Sequence, residues 1–473
     1  MRRREFGQRV AAGLACFAAP SLGRATSSPP DLAERDGVIV DAAAANASEL
    51  SDPFNRRWRR IPRRRALCAT AEGVRTVLNW ARETEEPFSV RSGGHCFAGY
   101  SEASDLVIDL RRMRRVVVSP TAGTVSVDAG ARVQDVIDAL APLDLAVPAG
   151  YCQTVGFGGH ALGGGVGYLA RAYGTLADSL LEVEMITADG RLLTVRPDEN
   201  AELFWACQGG GYGFGVATRF VFRTRPLATA HHGRVLTQVA PDHAAAILGG
   251  WREILRDAPQ EFSSIAYFSG VKADLIQIRI ALVSVGELRA FQRLLDQIRE
   301  LTEWKGSFVR TNEAWRDVSH QLWPRDRVGH GRYAIKSGFA DDSFGASGWR
   351  ALIEGLYPGV SGFCQMQGGA IDALSSEATA FPHRGPAAQL CFQWDGRLDS
   401  GGGSAPGREA RLASAYRRMG PFLTGGAYAN YRDRSLANWA EAYWGQNTRR
   451  LRAVKRRYDP ENIFSGPQVI APA

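Results

Sequence analysis

Apolar and polar positions recur along this chain with two periods, and the change from one to the other marks where helices and strands belong. Val74, Val77 and Leu78 fall on one face of a 3.6-residue repeat, which predicts a helix over Ala71–Thr84. Phe88-Ser89-Val90 reads as a short strand running into a glycine turn. Asp105–Leu110 and Thr124–Val127 read as strands, and Val133–Leu140 as a helix. Leu180–Thr187 and Arg191–Val195 flank Ala188-Asp189-Gly190, a hairpin pattern with Asp-Gly as its turn. Short strands mixed with helices over about 170 residues predict an α+β arrangement, not a regularly alternating parallel sheet. Beyond about Leu227 glycine thins out and the signals lengthen. Leu275–Val283 is strand-like, Gly286–Leu301 is an amphipathic helix, and the Gly/Ser-rich Ser400–Gly407 reads as a loop.

Composition narrows the class. A chain of 473 residues with 45% hydrophobic and 22% charged residues can bury a sizeable core in more than one domain. Disordered and collagen-like classes are excluded. The net charge of +8 is unevenly placed. Arg2, Arg3, Arg4, Arg9 and Arg24 against Glu5 put +4 in the first 25 residues, and seven arginines crowd Asn55–Arg65, so the remainder is close to neutral. With Trp58 as its only aromatic, that run reads as a solvated strand edge and not as an anion-binding patch, and nucleic acid is not an expected partner.

The first 25 residues read as an export signal: basic Met1–Gln8, apolar Val10–Leu22, and small residues around Gly23-Arg24-Ala25. Arg3-Arg4-Glu5-Phe6 matches the twin-arginine pattern, so the expected destination is periplasmic or extracellular. The apolar run is shorter than the roughly 20 residues a bilayer-spanning helix needs, and the mature chain is expected to lack a membrane span. Six cysteines then remain, and none has CxxC-type spacing. Cys152 is assigned to chemistry; Cys68, Cys96, Cys207, Cys364 and Cys391 read as buried apolar residues.

Two motifs carry the chemistry. Arg91-Ser92-Gly93-Gly94-His95 and Gly150-Tyr151-Cys152 each set one nucleophile in a glycine-dense turn able to lie against a flat, charged cofactor. Arg91 and the free N–H groups of Gly93 and Gly94 suit a pyrophosphate. Gly165-Val166-Gly167-Tyr168-Leu169-Ala170, with Glu184 beyond it, matches a nicotinamide-dinucleotide fingerprint. Such a turn must follow a hydrophobic strand, however, and the glycine-dense Gly156–Gly164 precedes it, which rejects that reading.

Together the motifs resemble those of the berberine bridge enzyme-like FAD-linked oxidases of the vanillyl-alcohol oxidase (PCMH-type) flavoprotein superfamily. Gly150–His160, Phe204–Val216, Phe381-Pro382-His383-Arg384-Gly385 and Tyr428-Ala429-Asn430-Tyr431-Arg432-Asp433 continue the resemblance. Its implied fold is α+β: a two-subdomain FAD-binding domain over residues 60–227, a substrate domain with a large antiparallel sheet backed by helices over 228–427, and a closing segment over 428–473 that returns to the first. Its implied cofactor is FAD, bound covalently through His95 to the C8-methyl and through Cys152 to C6. Ser92, Gly93, Gly94, Gly156, Gly158, Gly159, Gly215, Val216 and Asn430 join Arg91 as cofactor contacts, while His160, His383 and Arg384 brace the fold. Gly213 stands where the family usually has asparagine.

The resemblance further implies an oxidoreductase with Tyr431 as general base toward an alcohol. Tyrosine is a poor base at its ordinary pKa of about 10 unless cations or hydrogen-bond donors favour the phenolate. In sugar-oxidising relatives a carboxylate assists; here Gln365-Met366-Gln367 offers glutamines in its place, and Asp372 is the nearest acid in sequence. Val155, three residues after Cys152, is small, as in oxygen-reactive relatives. The expectation is an exported oxidase that removes a hydride from an alcohol carbon of a carbohydrate or bulky secondary metabolite and reduces O2 to H2O2, with no metal. Oxidative C–N or C–C bond formation on the same flavin, or a dehydrogenase, is the alternative.

Overall fold

A computed structural model of the chain describes residues 28–272, 274–304, 308–322, 330–396 and 405–473. The proposed export signal lies outside the described residues, as does most of the Ser400–Gly407 loop. Among the described residues no helix is long and apolar enough to cross a membrane.

Among the described residues three larger sheets organise the molecule, beside a two-stranded pair of Leu145–Ala146 with Arg225–Pro226. A four-stranded sheet runs in the order Gly37–Asp41, Arg64–Cys68, Leu106–Asp109, Phe88–Arg91, antiparallel in its first pair and parallel in the next two. A five-stranded antiparallel sheet follows: Val116–Ser119, Thr124–Asp128, Val216–Arg223, Leu180–Ile186 and Leu192–Val195. The expected helices stand at Ala71–Glu83 and Val133–Leu140. The first is capped where the Thr70 hydroxyl accepts the Gly73 N–H at 3.1 Å, and it buries Val74, Val77 and Leu78 as its periodicity requires.

A seven-stranded antiparallel sheet forms the second half, in the order Phe308–Ala314, Thr229–Val239, Leu275–Ser284, Phe262–Lys272, Val360–Met366, Ala388–Asp395, Tyr333–Ala340. One of its inner strands shows why. In Leu275–Ser284 every second residue is apolar, and Ile276, Ile278, Ile280 and Leu282 pack into one core with the helices Pro241–Arg256, Leu288–Leu301 and Gly345–Glu354. Gln277 and Arg279, between them in sequence, point from the opposite face into a cavity. A separate core joins residues from Ala66 to Phe222 with residues from Ala427 to Ile470, so the C-terminal segment packs back onto the first two sheets. Lys455 fastens it: its buried ammonium donates to the carbonyls of Gly213 and Phe464, both at 2.7 Å, and to Asp459 at 2.5 Å.

The arginine run departs from expectation. Arg65 is 2% exposed and donates to Asp109 at 2.7 Å and Glu102 at 3.1 Å. Arg63 pairs with Glu86, Arg56 with Asp52 and Arg57 with Glu409. Arg56, Arg59, Arg60 and Arg63 stay exposed, as a solvated edge requires, so the correction concerns the specific ion pairs and Arg65, which is among the largest fully buried side chains. Arg91 also pairs with Glu102, and Arg111 with Asp109 at 2.7 Å, so two carboxylates serve three guanidiniums beneath the first glycine turn.

Breaking a buried charge set by removing one partner costs about 3–5 kcal/mol, because the remaining charge stays desolvated. Asp109→Ala should shift the denaturation midpoint by that order. Glu72→Ala, which breaks the exposed pair with Arg75, should leave the midpoint nearly unchanged. Equal small shifts in both would contradict the buried-network account.

Candidate active site

A cavity of about 1020 Å³ opens between the glycine turns, the free face of the seven-stranded sheet and the C-terminal segment. Ser92, Gly93, Gly94, His95, Cys152, Val155, Gly156, Gly158, Gly159, Gly215, Val216, Asn430 and Tyr431 all line it. Thus every candidate residue but one meets in a single place.

Two glycines set the distance between the motifs. A Cβ on Gly93 would stand 2.3 Å from the Gly156 nitrogen, and one on Gly156 would stand 2.1 Å from the Gly93 nitrogen. The turns therefore touch backbone to backbone, at a separation no side chain permits. Around that contact Ser92 Oγ donates to the Ala129 carbonyl at 2.6 Å, and the Gly158 N–H donates to the same carbonyl at 3.1 Å. His95 and Cys152 are brought to a common point: His95 Nε2 lies 2.8 Å, and Cys152 Sγ 3.8 Å, from Thr154 Oγ1. The imidazole stacks on Phe54, with centroids 4.2 Å apart and planes 16° from parallel. Burial, with smaller effects from His330, Arg132 and Arg91, lowers its pKa to about 3. The ring is therefore neutral near pH 7 and keeps a nucleophilic lone pair.

Arg91 is the exception. It does not line the cavity; its guanidinium is buried, paired with Glu102, within 3.8 Å of Asp109 and donating to the Asp52 carbonyl at 3.1 Å. Gly94, at φ +72°, folds over it so closely that a Cβ would collide with the guanidinium. The expectation of a pyrophosphate contact is corrected: Arg91 supports the turn from beneath. Cys96 is corrected as well, since it is half-buried on the cavity wall, whereas Cys68, Cys207, Cys364 and Cys391 are buried. His160 accepts the Gly150 N–H at 2.8 Å, a bracing hydrogen bond. The missing asparagine at Gly213 also has a local reason: with φ +114°, a Cβ there would stand 2.5 Å from the Val469 side chain.

Tyr431 meets Tyr428, Phe363 and Phe97 edge-on, with centroids 5.0, 5.9 and 5.9 Å away. Burial raises its pKa well above the ordinary phenol value, while a hydrogen bond with Tyr151 acts in the opposite direction. Tyr151 is in turn hydrogen-bonded to Tyr267, whose hydroxyl lies 3.3 Å from that of Tyr168. Sequence reasoning missed this run of four phenols, although Tyr151 stands beside Cys152 in the motif. The three residues considered as acid or acid substitute are engaged elsewhere: Gln365 donates to the Gly167 carbonyl at 3.0 Å, Gln367 to the Met366 carbonyl at 3.5 Å, and Asp372 accepts the Gly385 N–H at 2.8 Å. Asn430 donates to the His160 carbonyl at 3.1 Å and to the Tyr428 hydroxyl at 3.0 Å, which ties the C-terminal segment to the second turn.

This arrangement fits a flavin. Gly159 lines the cavity, and a Cβ placed on it meets nothing within 4 Å, so the peptide face is open to a flat ligand. The two glycine positions are accordingly expected to fail in different ways. Gly159→Ala should fold with an unchanged denaturation midpoint for the flavin-free chain and retain less flavin per protein. Gly156→Ala should lose flavin and stability together. A Gly159→Ala protein with full flavin content would contradict the cradle.

Comparison with known proteins agrees with the geometry. The FAD binding domain family matches residues 62–196, and the family described as berberine and berberine like matches residues 427–471. An uncharacterized FAD-linked oxidoreductase of Bacillus subtilis, YgaK, is 28% identical over 92% of this chain and 97% of its own. The xylooligosaccharide oxidase of Thermothelomyces thermophilus is 26% identical over 92% of this chain and 93% of its own. The solved structure of Physcomitrella patens BBE-like 1 superposes with a TM-score of 0.84 at 24% identity, covering 92% of this chain and 97% of that one. The glycine cradle, the paired family matches at the two ends of one core and the shared fold lead to one conclusion: the chain is an FAD-linked oxidoreductase whose FAD binding domain and closing segment match those of berberine bridge enzyme-like proteins.

Proposed function

We propose that this protein is an exported oxidase holding FAD through two covalent bonds, one from His95 and one from Cys152, and oxidising an alcohol carbon of a carbohydrate or bulky secondary metabolite, with O2 as electron acceptor and H2O2 as product. The observation that carries this reading is the meeting of His95 and Cys152 at one hydroxyl, that of Thr154. Their reactive atoms are no further apart than those two short contacts combined, a span suited to two carbons of one aromatic ring. The neutral imidazole is primed for bond formation, and two tethers let the pocket stay open to bulky substrates.

Bound FAD supplies the hydride acceptor. Tyr431 takes the hydroxyl proton of the substrate. Burial opposes a lone phenolate there, so its proton handling depends on the hydrogen-bonded neighbours Tyr151, Tyr267 and Tyr168. Tyr151 is a positioning residue in this reading, since it acts through Tyr431. Val155 lines the cavity beside Gly156, and its small side chain supports the oxidase reading over the dehydrogenase. Saccharide chemistry is supported by the likeness to the xylooligosaccharide oxidase. Export by the twin-arginine route is supported by the Arg3-Arg4 pattern alone.

Denatured wild-type protein should stay yellow and gain the mass of one FAD. His95→Ala and Cys152→Ala should each retain the flavin by the other bond, and the double variant should release it. Release of all flavin from either single variant would contradict two independent tethers. With a substrate identified by peroxide release, Tyr431→Phe should slow anaerobic flavin reduction by roughly 10²–10⁴-fold, the usual range for loss of a general base. Tyr151→Phe should retain Tyr431-dependent turnover but shift its pH profile; an unchanged profile would reduce the tyrosine run to packing.

A further inference from the structure

Thr154 stands behind the two nucleophiles. It is absent from the cavity wall that His95 and Cys152 help to form, and it reaches both from the protein side, with Oγ1 2.8 Å from His95 Nε2 and 3.8 Å from Cys152 Sγ. Among the described residues its hydroxyl makes these hydrogen bonds and no others. Backbone contacts fix its place. The Val133 and Gln134 N–H groups, at the start of the helix Val133–Leu140, donate to the carbonyls of Val155 and Gln153 at 3.0 and 3.1 Å. The Val155 N–H closes the turn onto the Cys152 carbonyl at 3.2 Å. The side chain on this pinned turn is thus spent entirely on the site. Phe54, itself stacked on Tyr333 with centroids 4.9 Å apart, sets the plane of the His95 imidazole. A flat stack is indifferent to a half-turn of the ring about its bond to Cβ, which exchanges ring nitrogens with carbons. The directional bond to Thr154 removes that freedom.

Resting on the two-bond reading above, we propose that Thr154 is the positioning residue for covalent flavin attachment, a single hydroxyl that accepts the Nε2 hydrogen of His95 and directs its own hydrogen to the sulfur of Cys152. A hydroxyl carries one hydrogen and two lone pairs, so it does both at once. With the Nε2 hydrogen held there, the lone pair of the neutral ring lies on Nδ1, the nitrogen left to bond carbon. A hydrogen bond donated to sulfur favours the thiolate, the reactive form of cysteine. For His95, the Nε2–H bond and one C–H bond of the flavin C8-methyl break as the C–N bond forms. For Cys152, the S–H and C6–H bonds break as the C–S bond forms. Each time the flavin gains the two electrons and two protons released, and O2 removes them as H2O2. Thr154 is the first acceptor of the imidazole proton.

The test uses the full chain produced under riboflavin limitation and mixed with FAD in air. Samples quenched in acid over time are proteolysed, and mass spectrometry follows flavin on the His95 peptide and on the Cys152 peptide separately. FAD fluorescence before the quench reports non-covalent binding. Thr154→Val, close in shape but without the hydroxyl, should still bind FAD and form both bonds about tenfold more slowly, the range for loss of one hydrogen bond. Thr154→Ser, which restores the hydroxyl, should recover most of both rates. NMR of the wild-type flavin peptide should show His95 bonded through Nδ1. Unchanged rates in Thr154→Val, slowing of one bond alone, no recovery in Thr154→Ser or a bond to Nε2 would each overturn the inference and leave the two-bond reading standing. A Thr154→Val chain that no longer binds FAD would overturn it too, since the residue would then serve the fold and not the attachment. Wild-type protein that never holds FAD against acid would remove the inference together with the two-bond reading.

Discussion

The whole arrangement depends on the contact between the backbones of Gly93 and Gly156. Where two loops cross with less than 2.5 Å between a virtual Cβ and the opposing chain, only glycine on both sides permits the approach. That approach places His95 and Cys152, 57 positions apart in the chain, around one threonine hydroxyl. The loops are held in register from below. Ala129 accepts hydrogen bonds from both turns, and Arg91, locked by Glu102, fills the space under Gly94. The buried guanidiniums thus act on the site without entering it: they fix the shape of a turn whose upper surface is available to a cofactor.

The second half of the molecule supplies a different kind of order. Alternation in Leu275–Ser284 sends Ile276, Ile278 and Ile280 to the helices and Gln277 and Arg279 to the cavity. A one-residue slip would exchange the two faces, so the hydrophobic core that stabilises the sheet also sets which side chains meet a substrate. The C-terminal segment joins the halves. It returns to the first core, is fastened through Lys455, and delivers Asn430 and Tyr431 to the cavity between them.

Much of this was legible in the chain itself, and the reasons are local. Val133–Leu140, Ala71–Glu83 and the Asp-Gly hairpin follow from periodicity and turn chemistry that a short window contains. The nucleophile motifs were legible because glycine density around a histidine and a cysteine is rare without a ligand to accommodate. Burial of Arg65 and Arg91 was not legible. A guanidinium reads as solvated until its carboxylate is known, and Glu102 and Asp109 stand 37 and 44 residues beyond Arg65. The tyrosine run was hidden for the same reason, since Tyr151 and Tyr431 come from opposite ends of the fold and are joined only by its topology. Strand order in the large sheet likewise depends on which apolar faces share a core, which no local pattern specifies.

The most direct test of the central claim is peptide mapping of the proteolysed, denatured protein, following flavin absorbance. The account predicts one flavin-bearing species whose mass equals a single FAD joined to two peptides, one containing His95 and the other Cys152. Flavin found free, or on peptides that never include both residues, would contradict it.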